Sequence, residues 1–195
     1  MTFFSGTPAT AKPAVITQTV NRNQVGISAI CEPTFTIFGG ATFDILGDAQ
    51  MPWSGVGGKA TLVNAGSFRK TSGAGIANVG YIVNNYGLLQ AQAGTLSLDS
   101  GGIAAGTCDA SGATALVNFG GQTHSVTNGA AFTASGGGFH RCNAGTLSFD
   151  IPFTFNPTFN LDASGVLAGT AAAHGGEQGG NVFAQLLHHL QDSRE

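Results

Sequence analysis

Two stretches, QAGTLSLDSGG at residues 92–102 and NAGTLSFDIPF at 143–153, say nearly the same thing twice in one chain. Each sets a glycine before an alternating run. In Thr95-Leu96-Ser97-Leu98 the leucines share one face and the hydroxyls the other, because successive side chains of a strand point to opposite sides. Thr146-Leu147-Ser148-Phe149 and Thr42-Phe43-Asp44-Ile45 repeat the arrangement. The glycine, often preceded by Asn, permits positive φ and turns the chain. The same phrase opens at Asn64 (NAGSF) and Asn85 (NYGLL), with looser copies at Gly39 (GGATF), Ser111 (SGATAL), Asn128 (NGAAF) and Ala163 (ASGVL). Gly94, Gly112, Gly129, Gly145 and Gly165 follow one another at similar, slightly drifting intervals. A drifting period of this kind marks a solenoid and favours it over a β-sandwich, whose strands also alternate.

Composition agrees. Charged residues are 9% of the 195-residue chain, against about 25% in an ordinary domain. Stacked coils tolerate few charges, because like charges would sit directly over one another. With one strand per turn and coils about 4.8 Å apart, about six to eight coils give a rod on the order of 30–40 Å long. Helix is disfavoured by frequent Gly and β-branched residues. The exception is residues 181–195, where Val182, Phe183, Leu186, Leu187 and Leu190 form one helical stripe behind Asn181 as a candidate N-cap. The expected fold is therefore all-β: a right-handed parallel β-helix over 34–170. An irregular capping segment (1–33) precedes it. A Gly-rich linker (171–180) and the amphipathic helix or tail (181–195) follow. The handedness follows the rule for parallel crossovers. Within residues 1–33 a strand is expected near Ala14–Val20.

Several function classes fall away. Net charge is −3, and Arg69-Lys70 is a single exposed-looking basic pair. Nucleic-acid binding needs a clustered basic footprint. No apolar run approaches the about 20 residues of a membrane helix, and the N-terminus lacks the basic start and apolar stretch of a secretory signal. GxSxG, HExxH and phosphate-loop motifs are missing.

The stretches GGATFDI, NAGSFRKTSGAG, NNYGLLQAQAGTLSLDSGG, FGGQTHSVTNGAAFTASGGG and NAGTLSF resemble the repeats of large bacterial surface and secreted proteins with a parallel β-helix, of the autotransporter-passenger and filamentous-haemagglutinin kind. The resemblance covers about residues 35–170 and supports a fold better than an activity. It implies a secreted or cell-surface location and a structural role: a stalk or spacer, adhesive or weakly glycan-binding. The partners it implies are neighbouring coils of a longer protein or host and matrix glycans. The alternative on the same fold is a polysaccharide lyase or glycosidase. Its mark would be charged residues clustered in one groove, and so few charges favour the stalk.

Candidate site residues are sparse. Asp99, Asp150 and Asp162 each follow a strand, and aligned coils would gather them into a carboxylate row able to hold calcium or act as a base; a turn-capping role competes. His124, His140, Cys108 and Cys142 are zinc-ligand types at spacings that match no standard finger, although the HRC of 140–142 puts His140 and Cys142 on one face of a strand. Cys31, Cys108 and Cys142 allow one disulfide or three buried small hydrophobes. His188-His189 read as solvated. Trp53, Tyr81 and Tyr86 could stack on sugars or pack in turns. The regular outward Thr and Ser bring to mind a hydroxyl-lined ice-binding face, but the Thr columns read too raggedly for it. No catalytic residue, cofactor or metal is assigned.

Overall fold

In the computed structural model the described residues are 14–16, 20–23, 34–53, 55, 57–133, 137–150, 159–161 and 164–169. The expected linker at 171–180, the helix at 181–195 and Cys31 lie outside them. Strands β1 (Ala14–Ile16) and β2 (Val20–Asn23) come first, then β3 (Thr34–Ile37) and β4 (Thr42–Leu46). Four three-sided turns follow: β5 (Thr61–Asn64), β6 (Ser67–Ser72) and β7 (Ile76–Val79); β8 (Ile82–Asn85), β9 (Leu88–Ala91) and β10 (Thr95–Leu98); β11 (Gly102–Ala104), β12 (Thr107–Ala110) and β13 (Leu116–Phe119); β14 (Thr123–Val126), β15 (Ala131–Thr133) and β16 (Phe139–Cys142). The last strands are β17 (Thr146–Phe149), β18 (Phe159–Leu161) and β19 (Val166–Gly169).

Every pairing is parallel, and the strands sort into three faces. The first face is β1-β3-β5-β8-β11-β14-β17-β19, the second β2-β4-β6-β9-β12-β15, the third β7-β10-β13-β16-β18. A bridge between Met51 and Val79 adds the third side to the turn of β3 and β4. The protein is thus a parallel β-solenoid, all-β throughout its described part, as its composition and repeats predict; its described part makes about five three-sided turns, fewer than the expected six to eight.

The turn itself differs from expectation. Each turn carries three strands, not one. Turns also differ in length: Gly102 stacks on Val83 after a short turn, whereas a longer one separates Thr61 from Thr34. The glycine phrase is a corner, and there are three kinds of corner. NAGSF and NYGLL join the first face to the second, QAGTL joins the second to the third, and NAGTL joins the third to the first. So the two opening phrases never stack: β10 belongs to the third face and β17 to the first. Their shared grammar reflects a shared local task, turning the chain and then alternating.

Inside, the alternation builds apolar columns along the axis. Phe43 and Phe68 stack at 5.6 Å between centroids, and Phe35 meets Phe43 edge-on at 5.4 Å. Leu62, Leu89, Leu96, Phe119 and Leu147 are fully buried. Close coil spacing makes some strand positions obligate glycine. At Gly102, φ is +134° and an added Cβ would meet the Val83 carbonyl oxygen at 2.1 Å, so the backbone of the neighbouring coil occupies that space.

Candidate functional site

Three sets of side chains are candidates for a site: polar ladders on the second and third faces, buried polar groups at interior positions, and aromatics at the corners. On the second face, register aligns Asp44, Arg69, Gln90, Asp109 and Thr133. Arg69 grips Asp44 with two bonds, Nε to Oδ1 at 2.7 Å and Nη2 to Oδ2 at 2.8 Å. Gln90 donates to Asp109 Oδ2 at 2.8 Å, and Thr133 donates to Asp109 Oδ1 at 2.7 Å. On the third face Arg141 donates to Asn118, Asn118 to Ser97, and Ser97 to Asp99 Oδ1 at 2.6 Å. Most of these bonds run from coil to coil, perpendicular to the strands, and so tie turns together.

Arg69-Lys70 is not the exposed pair its sequence suggests. Arg69 points outward to Asp44, whereas Lys70 is fully buried at an interior position over Ile45. Its ammonium reaches the corner, donating to Asp48 Oδ1 at 2.8 Å and to the carbonyls of Ser72 and Gly73 at 2.6 and 2.8 Å. The Lys70 ammonium holds the Asp48 carboxyl below its ordinary range. Alternation dictates this: consecutive residues of a strand cannot share a face.

Asn64 and Asn85, read along the chain only as openings of the glycine phrase, are also interior. Asn64 Nδ2 donates to Asn85 Oδ1 at 2.7 Å and to the Leu88 carbonyl at 2.8 Å, and Asn85 Nδ2 donates to the Thr107 carbonyl at 3.0 Å. They form a short amide ladder beneath the first corner. The signal was present: each is the first residue of its corner phrase and the last of its strand.

The aspartate row does not form. Asp99 follows β10 at the corner between the third and first faces, Asp150 follows β17 of the first face and donates its amide to the Val126 carbonyl one coil away, and Asp162 lies outside the described residues. Asp99 is instead bonded within the wall. The zinc-type residues do share the interior, but not one site. His140 and Cys142 point inward from β16, as alternation predicts, while His124 occupies a first-face column between Gly102 and Leu147. Among the described residues no three His, Cys, Asp or Glu side chains gather as metal ligands. Cys108 and Cys142 are both buried. Burial pushes the Cys108 thiol up to about 12, with Asn85 opposing, and Cys142 donates to the Gly145 carbonyl at 3.0 Å.

Both histidines are held neutral. Burial lowers each to about 4. For His124 the opposing influence is backbone hydrogen bonding at Gly121 and Leu98; for His140 it is the Thr133 carbonyl, to which Nε2 donates at 3.0 Å, and the charge of Asp109. His124 Nε2 has no hydrogen-bond partner and its ring meets Phe119 edge-on at 5.0 Å.

Tyr81 is buried, and burial raises its phenol well above the ordinary value. Trp53 lies under Lys59, whose ammonium is 5.6 Å from the ring centre and donates to Ser100. Tyr86 is 52% exposed and shares its corner with Phe38, 48% exposed, a residue with no distinguishing signal along the chain. Ala65 donates its amide to Ile37 and Tyr86 its amide to Asn64, so Phe38, Ala65 and Tyr86 take the same corner position in successive coils. Two coil spacings separate the aromatics, about 10 Å along the axis.

Among the described residues no helix is long and apolar enough to cross a membrane. Comparison with protein-family models, curated proteins and solved structures gives no match to this chain.

Proposed function

We propose that this solenoid is a structural or adhesive segment of a bacterial cell-surface or secreted protein, a stalk or spacer that binds glycans weakly. One observation carries the reading: the outward carboxylates Asp44, Asp99 and Asp109 are each bonded to side chains of the wall, two of them across coils. Carboxylates spent in this way stiffen a rod; a lyase or glycosidase needs them converging on a substrate. The bacterial surface origin is supported by the repeat resemblance alone. Weak glycan binding is supported by the corner strip of Phe38 and Tyr86, since exposed aromatic rings offer an apolar face to a sugar.

The test is a glycan array probed with the full chain and with Tyr86→Ala. Weak binding to neutral glycans, lost in the variant, is the expected result. A parallel incubation with acidic polysaccharides follows unsaturated or reducing-end products. Turnover that disappears in Asp109→Asn would replace the stalk with the enzyme reading.

A further inference from the structure

The eight-stranded face differs from the other two in what it sends outward. At one end Thr34 and Thr36 of β3 lie over Thr61 and Val63 of β5. Toward the other, Thr123 and Ser125 of β14 lie over Thr146 and Ser148 of β17. Ile82, Asn84 and Ile103 stand between the two blocks. Stacked, the outward positions run in two straight files, with hydroxyls on β3, β5, β14 and β17 and with Ile82, Asn84, Ile103, Val166 and Ala168 on the rungs between and beyond them. None of these outward positions is ionisable or aromatic. The Thr and Ser hydroxyls of the blocks make no hydrogen bond to another described residue, in contrast to Ser97, Asn118 and Thr133 of the other faces, which are bonded within the wall.

We propose that this face binds ice. Parallel strands hold the hydroxyls on a net of about 4.8 Å along the axis and about 6.7 Å across it, two residues apart on each strand. A water held by each free hydroxyl takes up that net, while the neighbouring Thr and Val methyls impose order on the water between them. An ice plane is likewise a sheet of waters periodic in two directions. Ionised side chains would reorient the surrounding water, and the two blocks carry none. A sugar would call for the aromatic faces found at the corner instead. From β3 to β17 the hydroxyl-bearing rungs span five coil spacings, about 24 Å. The inference needs only the fold and stands apart from the stalk reading.

The experiment measures thermal hysteresis and ice-crystal habit with the full chain. Faceted crystals and a measurable hysteresis are expected. The double change Thr123→Arg with Thr146→Arg should bring both to the level of an inert protein at equal concentration. Thr107→Arg, outward on the second face, should leave them unchanged, with circular dichroism verifying each fold. Thr146→Val keeps the shape while deleting one hydroxyl, and reads the same face by a partial loss where arginine disturbs folding. A folded wild type without hysteresis overturns the proposal, as does hysteresis that survives all the face variants. A dimer in sedimentation that dissociates in the Arg double variant would assign the face to a second copy of the chain and overturn it equally.

Discussion

Lowering the pH from 7 to 5 should cost the fold about 4 kcal/mol through His124 and His140, about 2 kcal/mol from each. Both are almost completely buried, 2% and 0% exposed, and burial holds them near 4 in the folded state against 6.5 for the free side chain. The unfolded chain therefore takes up protons first. Between pH 6.5 and 4 it binds more than the folded chain, and stability falls as pH falls through that window. One pH unit of unequal protonation is worth about 1.4 kcal/mol per group, so the loss is slight above pH 6.5 and grows to about 2 kcal/mol per histidine at pH 5. Set against a typical total of about 5–15 kcal/mol, that is a large fraction. Urea unfolding followed by circular dichroism at pH 7, 6 and 5 measures it. His124→Leu puts in place of the imidazole the side chain already used one rung away at Leu147, and should halve the pH dependence. Adding His140→Leu should nearly abolish it over this range. A wild-type midpoint that is flat between pH 7 and 5, or a slope unchanged by His124→Leu, would refute the burial argument.

Three further outcomes follow from the packing. Gly102→Ala should destabilise by about 4 kcal/mol or more, or prevent folding, because its Cβ would strike the Val83 backbone; Gly40→Ala, whose Cβ meets nothing within 4 Å at φ +81°, should cost only about 1–2 kcal/mol in the same thermal melt. Lys70→Met should cost about 2–3 kcal/mol by chemical denaturation, since two corner carbonyls and Asp48 lose a charged donor. Arg69→Met, one residue earlier, should cost no more than about 1 kcal/mol, because its side chain is 31% exposed and water replaces the lost bonds to Asp44; equal losses at the two positions would contradict their assignment to opposite sides of β6.

Much of this is legible along the chain. Alternation alone puts Leu96 and Leu98, and Leu147 and Phe149, inside, because a strand has only two sides and water is on one of them. Glycine before each run marks a turn, and the shortage of charge marks stacked coils. His140 and Cys142 fall on one face by the same parity. Stacking is a different matter. Gly94 and Gly112 stand at the same corner one turn apart, whereas Gly129 turns the first face into the second and Gly145 the third into the first. Nearly equal steps along the chain thus lead to different corners. Nothing in the phrase says which of the three it makes.

That missing assignment is why the candidate sites read differently in three dimensions. Asp99 and Asp150 follow matching phrases, yet they follow strands of different faces. Phe38 and Tyr86 are distant in the chain and share a corner. Lys70 enters the interior because alternation fixes its side, and it is tolerated there because the corner supplies two carbonyls and Asp48, partners chosen by the turn. Local chemistry, which depends on neighbours one or two positions away, was determined by the sequence itself. Which residue lies above which depends on the length of every loop in the turn between them, and only the closed solenoid decided it.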